Sequence, residues 1–428
     1  MDTDTPSAQA PPKKEWTLEV DHELRLEVAK DNEVEVMIVD GQAEIFGTEL
    51  VRNRRYLFGS GAKVAVFTWH GCVVEVTGEL EVSYISGETP MVIYLNVHMA
   101  IEQMRQKVEK QNDSSIGPKV MICGPVNVGK STLSRILLNY SVRMGRRPIF
   151  VDLDVGQGSI SVPGTMGALL VERPADAEEG FSLQTPLVYN FGNASPADNM
   201  KLYNVLATQL ADVVFKHFEH NEKAGVSGCI INTCGWVTGG GFKILMNIVQ
   251  VFKVDVILVL DHERVYNDFK TNLGDLVQCV HLPKSGGVFE RSQEQRRNAR
   301  DEKIREYFYG GRTPLYPHVF DVKFDEVKLF KIGAPEVPDS CLPLGMEPED
   351  SSMKAVPVAP SVALLHSLCA VSAAESPEDD LTKSNVVGFI VITNVDIESK
   401  MFTVLSPAPR PLPKEYLIVS DIKFMDLK

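Results

Sequence analysis

Gly124-Pro125-Val126-Asn127-Val128-Gly129-Lys130-Ser131-Thr132 matches the G-x-x-x-x-G-K-[ST] pattern of a phosphate loop. A chance match in a chain of this length is on the order of 1–2%, so the stretch decides how the middle of the sequence is read. An apolar run, Val120 to Cys123, delivers the loop, and Leu133, Ile136, Leu137 and Tyr140 follow at helical spacing. Glycines let the backbone turn its N–H groups inward onto anionic phosphates, helped by the helix N-terminus. Lys130 supplies a point charge for the β- and γ-phosphates, and Ser131 a magnesium ligand. Gly124, Asn127, Val128, Gly129 and Thr132 complete the nucleotide-binding set. The alternative, a Gly-rich strand-to-helix turn with a surface lysine, is disfavoured by the rarity of a chance match.

Outward from the loop, residues 119–330 alternate strand and helix. Buried-strand candidates are 120–123, 148–153, 186–191, 229–232 and 254–260. This repeat predicts a central α/β domain of the phosphate-loop NTPase type, with a mainly parallel sheet covered on both faces. Upstream, 16–100 reads as a β-sandwich-like domain. Leu24, Leu26 and Val28, then Val34, Val36 and Ile38, alternate with period two. A polar Pro-rich tail (1–15) precedes it, and a helical linker (101–118) follows. Downstream, 331–428 reads as a C-terminal β-rich (α+β) domain, with strands near 388–393, 401–405 and 416–419 and loops at 334–360 and 375–380.

Composition bounds the rest. The 428 residues carry 43 Lys+Arg and 57 Asp+Glu, a net charge of −14, which excludes a uniformly basic nucleic-acid coat but leaves room for a local basic patch. No apolar run approaches the roughly 20 residues that span a bilayer, so no membrane role is expected. The first residues lack the apolar core of a secretory signal. Seven cysteines without a CxxC pair argue for reduced thiols. His70, His98, His262 and His281 show no metal-ligand spacing.

Three further stretches carry chemistry. The strand ending in Asp152 and Asp154 runs into Gly156-Gln157-Gly158. Carboxylates at the carboxyl end of a neighbouring strand sit beside the cradle, where they can hold Mg²⁺ or accept a hydroxyl proton. Alternation would put both on one face. Asp154, nearer the strand's end, is preferred, and one of the two acids is expected to serve as a strand-end hydrogen-bond anchor. Second, ERSQEQRRNARDEKIR (290–305) opens a helix with Arg296 and Arg300 four apart and Arg291 before it. Residues 291–312 hold seven basic and four acidic side chains. They suit a lid, near 290–310, that closes on a transferring phosphoryl group; a solvated helix of Glu/Arg pairs would have the same composition. Third, Trp236 follows a buried strand and precedes three glycines, placed to stack on a base or to cover a sheet edge. Gln157 joins Trp236 as a substrate-binding candidate. No Asn-Lys-x-Asp run is present to read guanine.

Together with these motifs, AEIFGTEL (43–50), FTWHGC (67–72), DVGQG (154–158), PGTMGA (163–168), TCGW (233–236), LPKSGG (282–287), DSCLPLG (339–345) and LSPAPRPL (405–412) resemble one family over residues 16–428. It is the animal polynucleotide 5′-hydroxyl-kinases that are also subunits of the pre-mRNA cleavage and polyadenylation machinery, the RNA kinases associated with the tRNA-splicing endonuclease. The resemblance implies three domains and transfer of the ATP γ-phosphoryl group to RNA 5′-hydroxyl ends, with tolerance of DNA. It implies Mg²⁺, a nuclear location, and partnership with tRNA-splicing endonuclease subunits and pre-mRNA 3′-end cleavage factors. Residue by residue it implies Lys130 and Ser131 at the phosphates and magnesium. Asp154 becomes the hydroxyl-activating and metal-binding carboxylate, Arg291 and Arg296 the lid arginines, and Trp236 the clasp on the terminal nucleotide. Glu23 and Lys63 become nucleotide contacts from the N-terminal domain. Val126-Asn127 replaces the Thr-Asp of vertebrate members, side chains that a backbone cradle does not require. The alternative reading is an ATP-loaded assembly scaffold with little turnover, in which bound nucleotide stabilises the central domain.

Overall fold

The computed structural model describes residues 12–111, 115–183, 185–333, 352–376 and 379–426. The DSCLPLG run and most of the 334–360 loop lie outside them, as do residues 1–11 of the expected tail. The first strand, Lys13–Leu18, begins inside that tail.

Period-two alternation builds the N-terminal domain. One antiparallel sheet orders Lys13–Leu18, Cys72–Thr77, Val34–Gly41 and Arg55–Phe58; the other orders Thr48–Glu49, Glu44–Ile45, Lys63–Phe67, Glu23–Val28 and Leu80–Ser86. Leu24, Leu26, Val36, Ile38, Val66 and Val74 close the core between them. The strands stop at Ser86, and a helix, Met91–Gln111, starts ten residues before the expected linker. Met91, Tyr94, His98, Ile101, Glu102 and Arg105 are its buried residues, a spacing of mainly three and four that alternation cannot serve. This helix packs against the phosphate-loop helix Lys130–Arg143.

The central sheet runs Leu187–Asn190, Thr165–Leu170, Ile149–Asp152, Cys229–Asn232, Lys119–Cys123, Val256–Leu260, Gln278–Leu282. Its last five strands are parallel, and the first two add an antiparallel edge. Thr165–Leu170 and Gln278–Leu282 were not expected as strands. The first follows Ile149–Asp152 without a crossover helix and so must return antiparallel. The second is a half-polar edge strand, partly exposed.

The C-terminal sheet begins earlier than residue 331. His318–Lys323 and Lys328–Ile332 are two of its seven strands, with Met401–Ser406, Val386–Asp396, Ser367–Ser372, Tyr416–Lys423 and Ala355–Pro357. Its described residues hold strands and 3₁₀ turns but no α-helix. The helix Gln293–Tyr309, the segment expected as a lid, supplies the helical cover, burying Ile304 and Phe308. Tyr307 Oη accepts from the Phe389 backbone N–H at 3.0 Å, and Arg305 pairs with Asp426 at 2.9 Å. The far half of the lid helix is thereby fixed to the third domain.

The acidic stretch 171–180 is a brace rather than the solvated surface its composition suggests. Glu178 accepts from the Leu57 backbone N–H at 2.5 Å and meets Arg54 at 3.6 Å and Arg312. It joins the β-sandwich, the central domain and the segment after the helix Gln293–Tyr309. Six of the seven cysteines are described, all of them free. No helix among the described residues is long and apolar enough to cross a membrane.

Candidate active site

The apolar strand Lys119–Cys123, wholly buried, drives the phosphate loop to the carboxyl edge of the sheet. Gly124 has φ 149° and no room for a side chain, because a Cβ there would lie 2.6 Å from the Leu260 carbonyl oxygen. Gly129 (φ 87°) caps the helix Lys130–Arg143 without any side-chain hydrogen bond, so the helix N-terminus is open to an anion. Lys130 Nζ donates to the carbonyls of Gly124 at 3.0 Å and Pro125 at 2.8 Å. Burial pulls its pKa down, against the pull of Asp154.

Over this loop opens a cavity of about 830 Å³ between the sandwich, the sheet edge and the lid. Lys130, Ser131, Thr132, Asp154, Gln157 and Trp236 line it from the kinase domain, Lys63 from the sandwich, and Arg291, Arg296 and Arg300 from the lid. Three distant stretches of sequence therefore converge on one space.

The two carboxylates part company. Asp152 ends its strand, buried, and accepts from Asn232 Nδ2 at 2.9 Å and the backbone N–H groups of Ser159 at 2.7 Å and Asp154 at 3.1 Å. Asp154 lies beyond the strand's end, so alternation does not govern it. Its Oδ1 accepts from the Gly156 N–H at 3.0 Å, and it borders the cavity. Burial, then the Asp152 charge, push its pKa up to about 6, against Lys130.

The lid opens with Ser292 and Gln295 capping each other's backbone. Arg291 stands over the Phe289 ring at 5.1 Å, and Lys63 Nζ over the same ring at 3.8 Å. Burial and the Arg296 charge lower the Arg291 pKa. Crowded cations of this kind are relieved by a bound anion.

Trp236 leans on glycines that serve closeness rather than flexibility: a Cβ at Gly240 would sit 2.8 Å from the ring, and one at Gly241 2.1 Å from the Trp236 carbonyl oxygen. Glu23 does not border the main cavity. It lies in an adjoining recess with Tyr94, Gly129 and Thr132, where it holds Arg25 at 2.5 Å and accepts from Thr89 Oγ1 at 3.1 Å. Lys63 is paired with Glu27.

Two residues escaped the sequence reading. Arg25 lines the cavity and packs on Gly287, whose Cβ would lie 3.0 Å from its Nε; a charge two residues from Glu23 on one strand face was its only signal. Asn232 ends a buried strand beside the loop. Its Nδ2 also comes within 3.5 Å of Ser131 Oγ, and its Oδ1 is buried without a partner. Among the described residues no three His, Cys, Asp or Glu gather as a metal site. A divalent ion here would need phosphate oxygens, as Mg²⁺ in kinases does.

Three family models cover the chain. The mRNA cleavage and polyadenylation factor CLP1 P-loop matches residues 124–310, the pre-mRNA cleavage complex II protein Clp1 matches 315–426, and the N-terminal beta-sandwich domain of polyadenylation factor matches 17–108. The chain is 60% identical over 429 residues to the protein CLP1 homolog of Nematostella vectensis, covering 100% of both. It is 58% identical to the polyribonucleotide 5′-hydroxyl-kinase Clp1 of Homo sapiens, covering 97% of this chain and 98% of that one. Its fold resembles Clp1p in a solved Clp1p–Pcf11p complex, with a TM-score of 0.83, 24% identity, and 98% and 100% of the two chains covered.

Proposed function

The chain belongs to the Clp1 family of cleavage and polyadenylation factors, and from that premise we propose an ATP- and Mg²⁺-dependent polynucleotide 5′-hydroxyl-kinase acting on RNA ends. The observation that carries the reading is the single cavity bounded by phosphate loop, Asp154, Trp236 and lid arginines. Its relatives' names describe the same activity.

Loop N–H groups and the helix N-terminus hold the ATP phosphates, and Lys130 turns its ammonium to the β- and γ-oxygens. The base end extends towards Lys63 and the recess holding Glu23. Trp236 stacks on the terminal nucleotide, with Gln157 beside it, and presents its 5′-hydroxyl to Asp154. Asp154 takes the hydroxyl proton, and Arg291 and Arg296 stabilise the charge spread over the transferring phosphoryl oxygens. Ser131 and Asp154, a hydroxyl and a carboxylate that both border the cavity, offer hard oxygen donors that suit Mg²⁺ and would hold the ion. When bound, Mg²⁺ supplies charge neutralisation on the β- and γ-oxygens.

The same reading places the protein in pre-mRNA 3′-end processing with cleavage-factor partners, in keeping with its family. tRNA splicing with the endonuclease subunits, a nuclear location and tolerance of DNA follow from the resemblance. Labelled ATP and Mg²⁺ with matched RNA bearing a 5′-hydroxyl or a 5′-phosphate test the activity. Label should enter only the hydroxyl RNA and be lost in K130A and R291A, the latter by on the order of 10³-fold or more. Tight ATP binding without label would leave the nucleotide-loaded scaffold.

A further inference from the structure

The phosphate loop has its own grip on the lid. Asn127 stands in the loop with φ 59°, a left-handed conformation that asparagine tolerates better than most residues. Two lid donors face one end of its amide; with the oxygen assigned to that end, as the donors require, Oδ1 accepts from Arg296 Nη2 at 3.2 Å and from the Arg291 backbone N–H at 3.1 Å. Both donors belong to the lid, one in the loop before the helix and one in its first turn. A residue needed only for the turn would be served as well by glycine, and would leave its side chain to solvent. Here the side-chain oxygen is filled by two lid donors.

We propose that Asn127 is a positioning residue that docks the lid on the phosphate loop before nucleotide binds, setting Arg291 and Arg296 over the cradle. This rests on the kinase reading above. The surroundings make the contact consequential. The far half of the lid helix is fixed by Ile304, Phe308 and Tyr307, so what can move is the approach and the first turns, where these arginines lie. Among the described residues neither arginine has an ion-pair partner. An amide oxygen therefore holds them by hydrogen bonds alone. A neutral acceptor fixes a guanidinium without cancelling its charge, which stays available to a phosphoryl group. Arg296 is thus aimed before the substrate arrives, and the ordering cost is met in folding rather than in the reaction.

Two arms on the full-length protein test this. In the first, without nucleotide, trypsin cleavage after Arg291 and Arg296 is timed in the parent, N127G and N127D. Glycine keeps the left-handed turn and removes the acceptor; aspartate keeps an acceptor. N127G should be cut about tenfold faster, the loss of hydrogen bonds to a charged group, and N127D at the parental rate. In the second, phosphoryl transfer to 5′-hydroxyl RNA is measured in N127G, R296A and the double variant. N127G alone should lose about tenfold in kcat with little change in the KM for ATP, and should lose almost nothing further when R296A is already present. Equal cleavage of parent and N127G overturns the proposal, as do kcat losses that simply multiply. If the parent transfers no phosphate, the kinase reading falls and the cleavage arm alone decides the docking.

Discussion

Asn232 and Asp152 end neighbouring parallel strands in register, and the Asn232 amide donates to Asp152 Oδ1 at 2.9 Å. The same Nδ2 comes within 3.5 Å of the phosphate-loop Ser131 Oγ, while the amide's Oδ1 is buried without a partner. The amide nitrogen thus ties Asp152 to the serine that would ligate Mg²⁺, and so orients that serine.

Asn232→Ala should therefore raise the Mg²⁺ concentration for half-maximal transfer about tenfold, the worth of one such hydrogen bond. Mn²⁺ binding to the ATP complex, followed by paramagnetic resonance, should weaken in parallel. A normal metal requirement with a merely lower melting temperature would make Asn232 an anchor for Asp152 and nothing more.

Asp154 gives a pH signature. Its carboxyl is pushed from 3.8 to about 6, chiefly by burial and then by Asp152. Only the ionised form accepts a proton, so kcat/KM should fall tenfold per pH unit below about 6. Stability runs the other way. Because the folded-state pKa is raised, ionisation in the folded protein is a cost present above pH 6 and absent below about 4. Asp154→Asn should abolish transfer yet stabilise the fold at neutral pH. The gain is about 3 kcal/mol at most, reduced by water in the cavity, and it should vanish near pH 4. Thermal unfolding at both pH values reads this directly.

The contrast between Asp154 and Arg25 shows what sequence can carry. The phosphate loop, DVGQG and the arginine run are contiguous, so their letters alone announce a strand end, a turn and a charged helix. Arg25 and Asn232 acquire meaning only when folding brings a sandwich strand to LPKSGG and sets one strand end against the next. The helix Met91–Gln111 was misjudged because its apolar residues crowd its start and its buried face includes His98, Glu102 and Arg105. Charges hidden by partners do not look like a core face. Arg105 Nε, for instance, is spent on the Ser227 carbonyl at 2.9 Å. Gln278–Leu282 was missed because an edge strand keeps polar residues.

Gly241 tests the seat of Trp236. A methyl there would meet the Trp236 carbonyl oxygen at 2.1 Å and the ring's Cγ at 2.7 Å, so Gly241→Ala must displace the tryptophan even though alanine suits a helix better. RNA affinity should fall about tenfold or more, the scale of one lost base stack, with ATP affinity near normal. W236A should match it, and the double variant should lose little beyond either. Separate RNA and ATP titrations distinguish this from general unfolding, which would lower both.

Glu178 makes a last, asymmetric prediction. Its carboxylate is 4% exposed and serves Leu57 N–H, Arg54 and Arg312, whereas the two arginines are 48% and 50% exposed. Removing Arg312 leaves the carboxylate two partners and frees only a solvated cation, so Arg312→Ala should cost less than about 1 kcal/mol. Glu178→Gln keeps an acceptor for Leu57 but deprives both arginines of their counter-charge and leaves an amide N–H₂ facing cations. That is the breaking of a mostly buried pair, which costs about 3 kcal/mol or more when burial is complete and somewhat less here. The melting temperature of E178Q should therefore fall well below that of R312A. If the two variants melt together, Glu178 is a surface charge and the 171–180 stretch braces nothing.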